Sequence, residues 1–164
     1  MKNLAKENVL TDYGGTSGGT VRSLEKSLKI RLPEEYVQFI TKHDGASLHV
    51  DVFDYFNMSK SRVASDSIGF KQVGTILRTI NSLLEQSTND PSDPDIFKFY
   101  EYFDEDIVPF GETGGGDLIC FDYRNHAGNN PPIILWLHDV EEERISFIAN
   151  NFEEFINMLH EPED

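Results

Sequence analysis

Three apolar segments follow one another with short links, and they restrict the fold more than any other feature of the chain. They are LICFDY at residues 118–123, IILWL at 133–137 and ISFI at 145–148. Short apolar runs of this kind, bounded by turn-forming residues, are typical of buried strands. Because consecutive strands joined by short links pair as hairpins, the sequence predicts an antiparallel meander in this part of the chain.

The spacing of apolar residues predicts about four helices. One begins after Thr20, the expected N-cap, and a second begins after Leu32, where Pro33 and two glutamates suit a first helical turn. Apolar side chains recur at the helical period through residues 73–84, which predicts a third helix. The fourth begins near Asn151, where a glutamate three residues later completes a capping pattern.

Two further strands are expected before the meander. One covers residues 48–53, and a short one covers 107–110, where Pro109 favours an edge or strand-end position. The elements then run as two helices, a strand, a helix, an acidic loop, three or four strands and a final helix. This order predicts an α+β fold, in which about four helices flank a central, mostly antiparallel sheet.

A length of 164 residues predicts one domain over 1–164, with 1–19 as a flexible lead-in and 87–106 as an acidic loop or insertion. The single cysteine, Cys120, is flanked by apolar strand residues, so we expect it to be a buried, small hydrophobic side chain. One cysteine fits a reducing compartment, and neither a signal-peptide pattern nor an apolar run of about 18 residues occurs. These features predict a soluble, cytoplasmic protein.

The charge is large, negative and unevenly distributed. Lys and Arg number 14 and Asp and Glu number 29, which gives a net charge of −15. Residues 85–112 hold nine acids and residues 139–164 hold nine more, so eighteen of the 29 acids lie in two segments. A polyanion repels nucleic acid and anionic membranes, so we expect neither as a direct ligand. A basic protein is the partner that such a charge favours.

The candidate motifs for catalysis or cofactor binding are weak. The Gly-rich stretch 111–117 precedes a strand and lacks a lysine, so we interpret it as a tight connection that needs positive φ rather than as a phosphate site. His49 and Asp51 alternate on a strand, but a metal needs further convergent ligands, and no metal or cofactor is expected. Only acid pairs and histidines support an enzymatic hypothesis. A deep pocket holding two carboxylates and a histidine, or a bound metal, would strengthen it.

Aromatic side chains set among acids favour a protein-binding surface. The segment FKFYEYF at 97–103 lies within the first acidic region, and aromatic anchors rimmed by charge are typical of interfaces. Core packing is the alternative for some of these rings. The residues expected to contact a partner are Tyr100, Tyr102, Asp104, Glu105, Asp106, Glu112, Glu141 and Glu142.

Several segments, taken in order, resemble the SUKH superfamily. LKIRLPEEYVQFI at 28–40 is similar to its opening helix pair, although the usual closing Asn-Gly-Gly is replaced by HDGA at 43–46. VPFG at 108–111 followed by GGGDLICFD at 114–122 is similar to its second signature. The segments PIILWLHD and IANNFEEFI then resemble the next strand and the closing helix. The resemblance spans roughly 20–160, with a poor match over residues 54–106.

The resemblance implies an α+β fold with a mostly antiparallel sheet and no catalysis. Bacterial members are typically immunity proteins that bind a toxin domain, often a nuclease, whereas fungal members regulate cell-wall synthesis. We therefore expect a non-enzymatic, cytoplasmic immunity protein, monomeric or weakly dimeric, with a regulatory module that binds a host protein as the alternative. The resemblance also implies a set of scaffold residues, among which Asp117 is expected to tie the Gly-rich turn to backbone amides. They are Pro33, Tyr36, Gly45, Pro109, Gly111, Asp117 and Trp136.

Overall fold

A computed structural model describes residues 1–89, 103–140 and 143–163. Within these ranges it has four α-helices and a seven-stranded antiparallel sheet, so the predicted α+β fold is confirmed. The helices are α1 (Gly18–Leu28), α2 (Glu34–Ile40), α3 (Val73–Asn89) and α4 (Phe152–Met158). The strands are β1 (Val9–Thr11), β2 (Ser47–Asn57), β3 (Arg62–Phe70), β4 (Ile107–Glu112), β5 (Leu118–Asp122), β6 (Ile133–Trp136) and β7 (Ile145–Ala149).

The sheet is a meander in which each strand pairs with the next one along the chain, from β1 to β7. The three strands predicted from the apolar segments are β5, β6 and β7, and they pair antiparallel as expected, with Cys120 opposite Ile134. Cys120 is fully buried, and burial raises the pKa of its thiol well above the usual value. The cysteine therefore acts as a small hydrophobic side chain in the core, as predicted.

The edge position expected for Pro109 is wrong for the strand as a whole, because β4 lies between β3 and β5. The pairing with β3 involves only Gly111 and Glu112, which lie opposite Phe70 and Gly69. Pro109 lies before this pairing begins, and the register with β5 shifts between Pro109 and Gly111. The missing N–H of the proline therefore costs no bond to β3, and a central strand tolerates it.

The N-terminal stretch contains elements that the sequence pattern did not predict. Two short 3-10 helices, Lys2–Leu4 and Lys6–Asn8, precede β1, which pairs with the start of β2. Helix α1 begins at Gly18, earlier than expected, because Ser17 rather than Thr20 is the N-cap and accepts a bond from Thr20 N at 3.0 Å. Residues 9–11 thus extend the sheet by one strand.

An aromatic cluster fills the core beneath α2 and α4. Tyr36 of α2 is fully buried, and its ring centroid lies 5.1–5.6 Å from those of Phe110, Phe121 and Phe152. Phe110 and Phe121 stack at 4.1 Å on the sheet below. Such contacts contribute beyond the burial of apolar area, and they fix both helices on one face of the sheet.

The β2–β3 hairpin reaches beyond the rest of the sheet, because β3 pairs with β4 only at its last two residues. The free part of the hairpin bends toward the opposite edge, where Met58 N donates to Ser146 Oγ of β7 at 3.0 Å. The segment after α4 lies along it as well, since Val52 and His160 exchange two backbone hydrogen bonds of 3.0 and 2.9 Å. The cavity described below lies between the base of the hairpin and this segment.

Candidate functional site

Three of the acidic residues predicted to contact a partner lie in a tight turn that leads into β4. The Asp104 carboxylate accepts a bond from Asp106 N at 2.8 Å, and the Asp104 carbonyl accepts one from Ile107 N at 3.0 Å. The Asp106 carbonyl in turn accepts a bond from Tyr123 N at 2.9 Å, which fixes the turn to the end of β5. Glu105 and Asp106 are exposed and Asp104 is half-buried, so the turn presents its carboxylates toward solvent.

Two helices bring further acids to the same end of the sheet. Because the strands alternate in direction, the start of β4 lies at the end of the sheet where β7 stops and α4 begins. Glu153 in the first turn of α4 and Glu34 and Glu35 in the first turn of α2 line a cavity of about 210 Å³ together with Asn129 and Asn130. We define the acidic end as Glu34, Glu35, Asp104, Glu105, Asp106 and Glu153.

Arg124 also lies near the acidic end, but its charge is neutralised by the neighbouring carboxylate of Asp122. Arg124 bonds both carboxylate oxygens of Asp122 at 2.9 Å. Burial raises the pKa of Asp122, but the bonds from Arg124 outweigh it and hold that pKa below its usual value. The Tyr123 hydroxyl donates to the carbonyl of Arg31, an exposed residue, at 2.6 Å and joins this end of the sheet to the approach to α2.

The other predicted contact residues do not join the acidic end. Glu112 lies at the far end of β4, five residues beyond Ile107, which is a separation of about 17 Å. There its carboxylate pairs with Lys71 Nζ at 3.1 Å. Asp139 and Glu143, in the β6–β7 connection, are exposed at the same end as Glu112. Each acidic segment is therefore divided between the two ends of the sheet, since Glu153 lies at the acidic end and Glu112 lies at the other end. Tyr100, Tyr102, Glu141 and Glu142 lie outside the described residues.

The glycine-rich stretch forms the β4–β5 connection, as predicted, and Gly116 there has a φ of +94°. The carboxylate of Asp117 binds across to the next connection rather than within its own turn. Its Oδ1 accepts bonds from His138 N at 3.1 Å and lies 2.6 Å from His138 Nδ1. Asp117 thus ties the glycine-rich turn to a backbone amide, as expected, and that amide belongs to His138. The turn itself is closed by Asp117 N donating to Thr113 Oγ1 at 3.1 Å.

The remaining residues of the predicted scaffold set lie in or against the core. Pro33, Pro109 and Gly111 are buried. Trp136 is 1% exposed, meets the Phe103 ring edge-on at 5.5 Å, and is covered by the Arg144 guanidinium at 5.5 Å. Gly45 has a φ of +62° and lies five residues after the end of α2 at Ile40. These residues have little surface to offer a partner.

A second site, which the sequence did not predict, lies where the hairpin meets the segment after α4. It is a cavity of about 460 Å³, here called the carboxylate cavity, lined by Asp51, Val52, Ser65, Asp66, Ser67, His160, Pro162 and Glu163. Burial raises the pKa values of Asp51 and Asp66, and one Asp51 oxygen is shielded from solvent. Only Asp51 carried a sequence signal, through its spacing from His49. Its neighbours come from β3 and from the end of the chain, which no local pattern joins.

The cavity has the composition that an enzymatic hypothesis required, namely two carboxylates and a histidine. Both ring nitrogens of His160, however, have acceptor partners. Nδ1 lies 2.9 Å from the Glu161 carbonyl, and Nε2 lies 3.1 Å from each oxygen of Asp54. The Glu161 carbonyl and the Asp54 carboxylate raise the pKa of His160, and bonds from Ser65 and His160 lower that of Asp54. Both ring nitrogens therefore face oxygen acceptors, an arrangement that suits donation from the imidazole rather than acceptance of a proton from a substrate.

Across 1–89, 103–140 and 143–163, no group of three or more His, Cys, Asp or Glu side chains is arranged to hold a metal ion. Within those ranges, no helix combines the length and apolar character that crossing a membrane requires.

The fold and these surfaces define an α+β protein built on an antiparallel meander. A family model described as the SMI1 / KNR4 family (SUKH-1) matches residues 15–158, and the chain belongs to this family. The chain is also similar to the "SPbeta prophage-derived uncharacterized protein YokK" of Bacillus subtilis (strain 168). The two are 26% identical over 149 residues, which cover 87% of this chain and 74% of the relative. The family is generally non-catalytic, and membership indicates immunity or regulatory protein–protein interaction.

Proposed function

We propose that this chain is a non-enzymatic immunity protein that binds a toxin domain and neutralises it through the acidic end. The observation that carries the proposal is the convergence of six carboxylates from three separate segments, 34–35, 104–106 and 153, at one end of the sheet. Complementary charge accelerates association and fixes the orientation of partners. The partner is therefore a basic protein rather than nucleic acid or a membrane.

A nuclease is the toxin class that this charge favours. A nuclease carries a basic cleft for its substrate, and a protein with a net charge of −15 competes with that substrate on electrostatic grounds. Tyr100 and Tyr102 precede the Asp104 turn in the sequence and would supply aromatic anchors beside its charges. Glu112, Glu141 and Glu142 would form a second, separate contact region. The protein would act in the cytoplasm, where a nuclease toxin finds its substrate.

The absence of catalysis is part of the proposal. Among the described side chains, His160 lines the carboxylate cavity, and both of its ring nitrogens are already bonded. A general base needs a free lone pair within reach of the proton that it removes. Inhibition would then follow from covering the active site of the toxin and not from modifying it.

The test is binding and protection with the toxin domain encoded beside the gene. Wild-type chain is expected to bind it at low salt, to lose affinity as NaCl is raised, and to restore growth of cells that express the toxin. In the variant Asp104→Lys/Glu105→Lys/Asp106→Lys, we expect affinity to fall about 100-fold or more, since close charge pairs at interfaces couple by about 1.5–7 kcal/mol. Isothermal titration calorimetry and growth assays measure the two effects.

A matched control reverses three exposed acids at the other end of the sheet, in and beside the second contact region, and is expected to lose less affinity than the variant at the acidic end. Glu112→Lys/Asp139→Lys/Glu143→Lys changes the net charge by the same amount and leaves the acidic end intact. If only this control loses affinity, the interface lies at the Glu112 end and the assignment is overturned. If the neighbouring toxin does not bind and a host protein binds through the acidic end instead, the chain is a regulatory interaction module.

A further inference from the structure

A cavity of about 520 Å³, here called the α2 groove, lies between helix α2 and the N-terminal 3-10 helices. One wall comes from α2, where residues at i, i+3, i+4 and i+7 share one side of the helix, namely Glu35, Gln38, Phe39 and Lys42. Lys42 follows the last residue of α2, but its N–H still donates to the Phe39 carbonyl at 3.1 Å, so the helical turn continues. Cavities of about 300–1,000 Å³ accommodate ligands of drug size, so this groove can hold a large side chain of a partner.

The opposite wall of the α2 groove is apolar and is fixed to the core. Leu4 and Ala5 form this wall, and both are half-buried. The preceding residue, Asn3, donates from Nδ2 to the Ile156 carbonyl of α4 at 2.8 Å, which holds the wall in place. Phe39 lines the groove from α2 and is only 5% exposed. The groove is therefore a preformed apolar surface.

The two ends of the α2 groove carry opposite charges. Glu35 lies where α2 begins and Lys42 lies just after the helix ends, a separation of about 10 Å for seven helical residues. Both side chains are exposed, and neither makes an ion pair with a described residue. Lys6, which is also exposed, adds a second cation from the N-terminal wall. A partner segment that fits the groove must therefore carry a basic group at one end and an acidic group at the other.

Glu35 joins the α2 groove to the acidic end. The same residue also lines the cavity of about 210 Å³ that contains Glu34 and Glu153. The carboxylates of the acidic end accelerate association and orient a basic partner. Strong interfaces also need apolar side chains that are desolvated in a pocket and surrounded by polar groups. The α2 groove is such a pocket, and it directly borders the charges.

We propose that the toxin domain inserts an apolar side chain into the α2 groove, between a basic residue that faces Glu35 and an acidic residue that faces Lys42. This inference rests on the proposed function and extends the interface from the acidic end along α2. A chain with a net charge of −15 repels acidic groups in general, so Lys42 selects an acidic residue only at this one point. The groove thereby distinguishes the cognate toxin from other basic proteins.

The variant Lys42→Glu tests the proposal, because long-range attraction and local contact predict opposite results. The change takes the net charge from −15 to −17, so general attraction to a basic toxin would strengthen binding. Loss of the local pair weakens binding instead. In surface plasmon resonance with the toxin domain encoded beside the gene, we expect dissociation to become at least 10-fold faster, with association no slower. Lys60→Glu, an exposed residue in the β2–β3 turn, makes the same charge change and is expected to leave dissociation within twofold of wild type.

A second variant fills the α2 groove without changing the charge. Ala5→Trp is expected to accelerate dissociation at least 10-fold, because the groove can no longer admit the toxin side chain. Ser59→Trp adds the same side chain at an exposed position of the β2–β3 turn and is expected to have at most about a twofold effect. Far-UV circular dichroism and thermal unfolding verify that both variants are folded.

The outcomes separate this inference from the proposed function. If Asp104→Lys/Glu105→Lys/Asp106→Lys loses affinity while Lys42→Glu or Ala5→Trp dissociates like wild type, the proposed function stands and the α2 groove is not part of the interface. Dissociation that is equally fast in Lys60→Glu or Ser59→Trp would also overturn the assignment to the groove. If the wild-type chain does not bind the toxin domain, the proposed function and this inference are both wrong.

Discussion

At the scale of single residues, the loop glycines are not equivalent. Gly45 has a φ of +62°, and a Cβ there would lie 2.7 Å from Tyr13 Cδ2 and 2.8 Å from Gln72 Cγ. Gly45→Ala is expected to lower the free energy of unfolding by about 1–2 kcal/mol, the cost of a left-handed conformation with a side chain. Gly114→Ala, where a Cβ meets nothing within 4 Å, is the control and is expected to change it by less than about 0.5 kcal/mol. Urea titrations compare them, and equal losses would contradict this distinction.

The two aspartates Asp66 and Asp54 on β3 and β2 predict opposite pH effects. Burial raises the pKa of Asp66, so ionisation of this carboxyl destabilises the folded state. The protonated carboxyl leaves the protein at its full stability below pH 3.8, and that stability is lost as the pH rises through the native pKa. Asp66→Asn is therefore expected to be more stable than wild type at pH 7, with no difference below pH 3.8. Bonds from Ser65 and His160 lower the pKa of Asp54, so Asp54→Asn is expected to be less stable at pH 7, again with convergence in acid. Urea midpoints across this pH range measure both signs, and two shifts in the same direction at pH 7 would contradict the assignment.

At the scale of elements, the side chain of Asn8 links the N-terminal 3-10 helices to strand β2. Asn8 Oδ1 accepts a bond from Val50 N at 2.9 Å, and Asn8 Nδ2 donates to the Asn3 carbonyl at 2.7 Å. Asn8→Ala is expected to lower the free energy of unfolding by about 1–3 kcal/mol, because the half-buried Val50 amide loses its partner. Asn8→Asp keeps the acceptor and is expected to cost less. Amide exchange by NMR tests the site directly. Unchanged protection of Val50 in the alanine variant would show that another group satisfies its N–H.

The elements also show what the sequence can and cannot predict. Strands β5 and β6 are almost entirely buried, so their continuous apolar runs identified them. Strand β3 was missed because Ala64, Ser65 and Asp66 interrupt its apolar pattern, and its position depends on pairing with the longer β2. The local concentration of acids in the sequence predicted the Asp104 turn of the acidic end. No local pattern predicted the carboxylate cavity, because its lining comes from β2, β3 and the terminal segment, which are distant in the sequence.

At the scale of the whole molecule, the net charge of −15 predicts how stability responds to salt. Repulsion among unpaired carboxylates opposes the compact state, and 500 mM NaCl screens charges beyond a few ångströms. The Tm at pH 7 is therefore expected to rise between 20 and 500 mM NaCl, by about 2–4 °C for each 1 kcal/mol of repulsion removed. Near pH 4.6, the isoelectric point, net repulsion vanishes and this dependence is expected to disappear. Differential scanning calorimetry at both pH values measures it. A Tm that falls with NaCl at pH 7 would contradict this prediction. It would mean that attraction within ion pairs such as Arg124–Asp122 outweighs the repulsion, and that the excess acids lie too far apart to destabilise the fold.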